Sequence, residues 1–170
     1  IDWEKMKFTG KQSHIVNAFY TPTENSICIP QAYIQKPFID LEERGIEYNL
    51  AYIGYTLAHE MSHCLDDSGS KYNAFGNLQD WWTPRDRAHY NSKMKNVIQQ
   101  YEYTARMDGN ILDASLSIGE DIADISGLRI CEEYLKQFQD YNKDITMIRE
   151  LSFKAFYIYI ALQGSQTTLR

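Results

Sequence analysis

Two histidines separated by three residues are the first feature of this sequence that could do chemistry. The motif is His59-Glu60-Met61-Ser62-His63, and residues 48–65 around it carry apolar side chains at helical spacing. On a helix, residues i and i+4 lie roughly 40° apart around the axis and one turn apart along it. Both imidazoles can therefore reach one metal ion at about 2.0–2.1 Å, the usual Zn–N distance.

The glutamate inside this motif has a different geometry. Glu60 directly follows His59, so it cannot be a third ligand on the same helix face, but it can act on a water molecule as a general base. Three fixed residues also occur by chance in unrelated chains. The placement favours a metal site, because we expect Leu57 and Met61 to face the core while both histidines face a cleft.

A catalytic zinc ion needs three protein ligands and one open position. A second acidic motif, Gly119-Glu120-Asp121-Ile122-Ala123-Asp124, opens a predicted helix over residues 117–141. Glu120 and Asp124 are one turn apart on one face, so Glu120 could bind the metal while Asp124 accepts the second N–H of a metal-bound histidine. The alternative is an acidic helix N-terminus that the helix dipole stabilises. The histidine motif favours the metal site.

The remaining candidates are weaker. Asp66 and Asp67 follow His63 closely, and either could orient its imidazole, although turn formation at the helix end explains them equally well. His14 and His89 are expected to be surface residues or locally hydrogen-bonded rather than ligands.

The elements that must position these residues are mostly helical. Two short β-leaning runs, residues 15–20 and 26–30, flank a turn-forming stretch at 21–25 and predict a hairpin. Hydrophobic periodicity predicts four helices, at about residues 48–65, 85–107, 117–141 and 144–163. The predicted fold class is α+β with helices predominant.

Length and composition restrict the class of protein. The chain has 170 residues, 44% hydrophobic and 24% charged, which suits one globular unit. Its 17 Lys and Arg against 23 Asp and Glu give a net charge of −6, which argues against a nucleic-acid or anionic-membrane surface. Residues 155–162, the longest apolar run, are too few to span a bilayer. The three cysteines show no zinc-binding or disulfide pattern.

Four stretches together resemble one known family. They are Val16-Asn17-Ala18-Phe19-Tyr20, the His59–His63 motif continuing into Asp66-Asp67-x-Gly69, Gly76-Asn-Leu-Gln-Asp80-Trp81-Trp82, and Gly119-Glu120-Asp-Ile-Ala-Asp124-x-x-Gly127-Leu128. In this order, they are similar to the neprilysin and endothelin-converting-enzyme family of zinc metallopeptidases. The histidine motif by itself is weak, whereas the four together are highly specific.

The resemblance implies a fold and a set of residue roles. The fold would be a thermolysin-like zincin (gluzincin) catalytic lobe with a small N-terminal hairpin that offers an edge strand. One zinc ion would be held by His59, His63 and Glu120. Glu60 would be the general base, and Asp124 would hydrogen-bond a metal-bound histidine.

A substrate site is also implied by the resemblance. Asn17 and Ala18 would hydrogen-bond an extended peptide, which is physically sensible because an edge strand has free N–H and C=O groups. The family cleaves short peptides, commonly before hydrophobic residues. Its members are extracellular or membrane-anchored ectodomains, although this sequence shows no signal peptide, transmembrane segment or glycosylation acceptor.

The sequence also departs from the family. Members are several times longer, with a helical lobe before the Asn-Ala-Phe-Tyr strand and a later His and Arg that this chain lacks. Residues 1–170 are therefore expected to be one segment of a catalytic domain whose remaining parts lie elsewhere in a longer polypeptide. The alternative function is a catalytically impaired, zinc-stabilised structural or peptide-binding module.

Overall fold

The computed structural model describes residues 13–142 and 151–165. This part of the chain is mostly helical with one small two-stranded sheet, as the sequence predicts. The strands are β1 (Phe19–Thr21) and β2 (Ser26–Cys28), and the α-helices are α1 (Ile46–Asn49), α2 (Tyr55–Ser62), α3 (Pro84–Met107), α4 (Ile118–Tyr141) and α5 (Phe153–Gly164). Short 3-10 turns lie at Gln31–Tyr33, His63–Leu65, Gly69–Lys71 and Ala114–Leu116.

The predicted hairpin is present but shorter than expected. β1 and β2 pair antiparallel, from Thr21 opposite Ser26 to Phe19 opposite Cys28. The first strand therefore begins at Phe19 and not at residue 15. One physical reason is that the same register would set Asn17 opposite Pro30, which has no N–H to donate.

The predicted helix over residues 48–65 is a longer helical rod with an irregular centre. It begins with α1, continues through a π-helical turn at Leu50–Gly54 into α2, and ends in the 3-10 turn His63–Leu65. A π-turn inserts extra residues into the helical repeat, and such turns often occur near functional sites. A uniform 3.6-residue period consequently does not describe the whole rod.

The expectation that Leu57 and Met61 face the core is wrong. Their exposed fractions are 39% and 56%. The core side of α2 instead carries the small residue Ala58, and α4 approaches that side closely. Small residues let two helices pack tightly, so the buried face of α2 is the one with little apolar bulk.

The two long helices agree with their predicted bounds. α3 starts with Pro84 in its first turn, and the Thr83 side chain caps it by accepting from the backbone N–H of Asp86. Part of the predicted helix at 144–163 falls on residues 143–150, which lie outside the described residues; the described part is helical from Phe153 to Gly164. The Ser152 side chain caps that start by accepting from the N–H of Ala155.

The hydrophobic core lies between the helical rod, α4 and α5. Its buried members are Tyr48, Ala51, Tyr52, Ala58, Cys131, Leu135, Leu151 and Phe156. This packing fixes the rod against α4, which is the contact that positions the candidate site. Among the described residues, none of the helices is both long and apolar enough to cross a membrane.

Candidate metal centre

A close approach of α2 and α4 builds the site. A Cβ atom added at Gly127 would lie 2.9 Å from the backbone N of His59 and 3.1 Å from its Cα, so only glycine fits at this crossing. Asp124 and Glu120 lie one and two turns earlier on α4. The crossing at Gly127 therefore brings both acidic side chains beside the histidine helix.

Three donor atoms meet between the two helices. The Nε2 atoms of His59 and His63 are 3.0 Å apart. Glu120 Oε2 lies 3.3 Å from His59 Nε2 and 3.7 Å from His63 Nε2. The structure thus brings together the three residues that the sequence predicts as metal ligands.

The histidine nearer the helix end is held by a local carboxylate. His63 Nδ1 lies 2.7 Å from Asp66 Oδ2, while Asp66 Oδ1 accepts from the backbone N–H groups of Ser68 and Gly69. Burial by itself raises the pKa of Asp66, and these hydrogen bonds outweigh it, so the pKa lies below its ordinary value. The sequence left open whether Asp66 orients His63 or stabilises the turn at the helix end. Its carboxylate does both.

The other histidine, His59, is held by a carboxylate that is far away in sequence but close in space. His59 Nδ1 lies 2.8 Å from Asp124 Oδ1, and the Tyr55 hydroxyl donates to the same oxygen at 2.7 Å. Burial again raises the pKa of Asp124, and the hydrogen bonds from His59 and Tyr55 lower it below its ordinary value. The Tyr55 contact was not predicted, although its spacing of four residues before His59 places it on the same helix face.

These contacts test whether the residues fit a zinc ion. An ionised carboxylate only accepts hydrogen bonds, so Asp66 and Asp124 place the imidazole protons on both Nδ1 atoms. When both imidazoles are neutral, His59 and His63 direct their Nε2 lone pairs at the same point, as two ligands of one cation do. Tetrahedral donors at about 2.0–2.1 Å from zinc are about 3.3 Å apart, close to the observed separations. The donor set fits zinc.

Glu60 lies beside this cluster and is buried. Its carboxylate and the two histidine nitrogens all lie within 4.8 Å of one another, so by distance it is a further candidate ligand. Burial raises the pKa of Glu60, against the opposing influence of His59 and His63. Glu120 Oε2 also lies close to both Nε2 atoms, so two carboxylates of this cleft are within reach of an ion that the histidines hold.

An open cleft of about 390 Å³ contains the donor cluster. Its lining includes His59, Glu60, His63 and Glu120 together with Asn17 and Ala18. Asn17 is exposed, whereas Ala18 is buried; both directly precede β1 and lie outside its paired residues. The structure thus places the two predicted peptide-binding residues in the same cleft as the histidines.

The residues expected to lie outside the site do so. His14 and His89 are both exposed, and neither lines the cleft that contains His59.

The pair Trp81 and Trp82 holds the loop before α3, because their indole N–H groups donate to the backbone carbonyls of Tyr72 and Ser70.

A mostly helical fold in which two histidines and two glutamates share one cleft is typical of metallopeptidases. Residues 17–164 match Peptidase family M13, and this match covers most of the chain. The chain belongs to peptidase family M13, and the family resemblance predicted from the sequence is confirmed.

Curated relatives agree with this family. Neprilysin-3 of Drosophila melanogaster is 33% identical over 144 residues, which are 84% of this chain and 18% of that protein. Neutral endopeptidase of Lactococcus lactis subsp. cremoris is 34% identical over 116 residues, which are 68% of this chain and 18% of that protein. The chain therefore spans about a fifth of the length of these relatives.

Solved structures show the same fold. The crystal structure of Mycobacterium tuberculosis zinc metalloprotease ZMP1 in complex with inhibitor matches with a TM-score of 0.72 and 30% identity, over 95% of this chain and 25% of that chain. The crystal structure of PEPO from Lactobacillus rhamnosis HN001 matches with a TM-score of 0.68 and 27% identity, over 88% of this chain and 22% of that chain.

Proposed function

We propose that this chain is the zinc-binding part of an endopeptidase that hydrolyses short peptides. His59, His63 and Glu120 would hold one zinc ion in a thermolysin-like zincin (gluzincin) lobe. The observation that carries the proposal is the convergence of three donor atoms in one cleft with the buried Glu60 carboxyl beside them. Relatives described as a neutral endopeptidase and a zinc metalloprotease support it.

The chemistry divides between the ion and the side chains. Zinc, when bound, polarises a carbonyl group and lowers the pKa of water. Glu60 would take a proton from the attacking water and deliver it to the leaving amine, since its burial raises its pKa towards the range of a general base. Asp66 and Asp124 would hold the two imidazoles in the tautomer that presents Nε2.

The peptide would bind in the same cleft. Asn17 and Ala18 line it, directly before the point where β1 begins to pair. Their backbone and side-chain amides would hydrogen-bond an extended substrate and align its scissile bond with Glu60.

The remaining machinery would come from a longer polypeptide. The chain spans about a fifth of its curated relatives, so residues 1–170 are proposed to be one segment of a catalytic domain. Further parts of that polypeptide would enclose the cleft and limit substrate size. By family resemblance, the complete protein would be extracellular or a membrane-anchored ectodomain.

The decisive experiment replaces Glu60 by glutamine in the complete polypeptide. Glu60→Gln is expected to retain zinc, because Glu60 is not a proposed ligand, and to slow cleavage of a fluorogenic peptide about 10²–10⁴-fold. Zinc content is measured by elemental analysis of the same samples. Glu42→Gln, an exposed glutamate outside the cleft, is the matched control and should cleave like the parent.

Two outcomes would contradict the proposal. Equal cleavage by Glu60→Gln and the parent would exclude Glu60 as the base. A parent that binds zinc but cleaves no peptide would favour the alternative, a zinc-stabilised peptide-binding module.

A further inference from the structure

Tyr55 lies on the same face of α2 as the two histidines. Tyr55, His59 and His63 follow one another at intervals of four residues, so their side chains stack along one stripe. The Tyr55 ring packs against the hydrophobic core, and its hydroxyl reaches Asp124 Oδ1 at 2.7 Å. The ring is therefore anchored while the hydroxyl contacts the carboxylate that holds His59.

The two histidine-bound carboxylates differ in how they are fixed. The Asp66 side chain is 9% exposed, and two backbone N–H groups hold its second oxygen. The Asp124 side chain is 50% exposed. Within the described residues, Tyr55 is the only donor besides His59 that reaches it. Without Tyr55, His59 would be the one described residue left to hold the half-exposed Asp124 carboxylate.

The hydroxyl is suited to this task. Burial and the adjacent Asp124 carboxylate both raise the pKa of Tyr55 above its ordinary value, so the phenol stays protonated and acts as a donor. Both Tyr55 and His59 bond the same carboxylate oxygen, Oδ1. A rotation of the carboxylate that frees one bond would therefore disturb the other.

We propose that Tyr55 is a positioning residue: its hydroxyl fixes the Asp124 carboxylate and, through it, the ring orientation and Nδ1–H tautomer of His59. In this role Tyr55 does for Asp124 what the backbone N–H groups of Ser68 and Gly69 do for Asp66. The inference rests on the proposed zinc site, since the function of the His59 tautomer is to present Nε2 to the ion.

The test measures zinc affinity in the complete polypeptide by competition with a chelator of known affinity. Tyr55→Phe keeps the ring and removes the hydroxyl, and we expect zinc to bind about tenfold more weakly, the lower end of the range for residues that support metal ligands. Tyr48→Phe is the matched control, because its hydroxyl lies on the same helical rod but donates to the backbone carbonyl of Pro37. The control should bind zinc like the parent.

A double-mutant cycle separates positioning from general stability. If Tyr55 acts through Asp124, Tyr55→Phe should have no further effect on zinc affinity once Asp124→Ala, which removes the acceptor oxygen, is present. Additive losses of affinity would overturn the proposal. Tyr55→Met gives a second hydroxyl-free variant if the phenylalanine substitution reduces the folded fraction.

The metal-free protein gives an independent readout. With ¹⁵N-labelled histidine, nitrogen chemical shifts should show His59 as the Nδ1–H tautomer in the parent and as a mixture of tautomers in Tyr55→Phe. The shifts of His63 should stay unchanged, because Asp66 holds its Nδ1 separately. An unchanged His59 tautomer together with parental zinc affinity would refute the role of Tyr55. A parent without zinc affinity would instead refute the proposed function.

Discussion

The two candidate metal ligands on one helix are oriented by carboxylates from very different parts of the chain. The His63 pair, His63 with Asp66, joins residues three apart in sequence. The His59 pair, His59 with Asp124, joins residues 65 apart on two packed helices. Both pairs have nearly the same hydrogen-bond length, 2.7 and 2.8 Å.

The difference lies in what holds each carboxylate. Asp66 is held by its own turn, in which the N–H groups of Ser68 and Gly69 are close in sequence. Asp124 depends on the packing of α4 against α2 and on Tyr55. Local structure therefore builds one half of the site, whereas tertiary structure builds the other half, together with Glu120. We therefore expect the half of the site that depends on the packing of α4 against α2 to lose its geometry first when that packing is disturbed.

The largest effect on zinc affinity is expected from breaking the local pair with Asp66→Asn. The substitution removes a buried charge that serves His63 and two backbone donors, so we expect zinc affinity to fall about 100-fold. The free energy of unfolding of the metal-free protein should fall by about 3 kcal/mol, since hydrogen bonds to charged groups contribute about 1.5–3 kcal/mol each. Chelator competition and urea denaturation measure the two quantities.

Asp124→Asn makes the same substitution in the His59 pair and is compared with Asp66→Asn. Its side chain is half exposed, so we expect a loss of about 1 kcal/mol or less in the metal-free protein, although zinc affinity still falls about tenfold. Equal destabilisation by the two substitutions would contradict this difference and show that the two carboxylates are held equally well.

An intermediate effect is expected from widening the helix crossing with Gly127→Ala. The added Cβ would lie 2.9 Å from the backbone N of His59, and overpacking of this kind costs about 1–3 kcal/mol. Zinc affinity should fall too, because α4 carries both Glu120 and Asp124. Gly164→Ala on α5 is the control, since its Cβ would meet nothing within 4 Å.

Thermal unfolding and chelator competition on both glycine variants separate the two effects. A Gly127→Ala protein with parental stability and zinc affinity would mean that the crossing tolerates a wider separation than the structure indicates.

The smallest effect is expected at Met61, which lies between the two histidines in sequence but outside the site in space. Met61→Gln changes a side chain that is 56% exposed, so the free energy of unfolding should change by no more than about 0.5 kcal/mol and zinc affinity should be unchanged. Leu135→Ala, at a fully buried position, should cost about 2–5 kcal/mol in the same denaturation assay. A loss of zinc affinity in Met61→Gln would show that nearness in sequence matters here, and not contact alone.

Much of this arrangement was predictable from residue patterns. α3 and α4 match their predicted bounds within one residue because regular amphipathic helices follow one period along their whole length. The histidine motif and the acidic motif of α4 were predicted as partners because few chemical arrangements need both. The buried face of α2 was predicted wrongly, since the π-turn before it and the close approach of α4 both alter the helical pattern.

By itself, the sequence determined the local features of this protein: the helices, the spacing of His59 and His63, and a carboxylate near enough to reach His63. These depend on residues within a turn or two of one another, where backbone geometry leaves few alternatives. The observed turn assigned the contact with His63 to Asp66 and not to Asp67. Only the tertiary structure joined Asp124 to both His59 and Tyr55. Such contacts depend on how two helices pack side by side, and that packing is a property of the whole core.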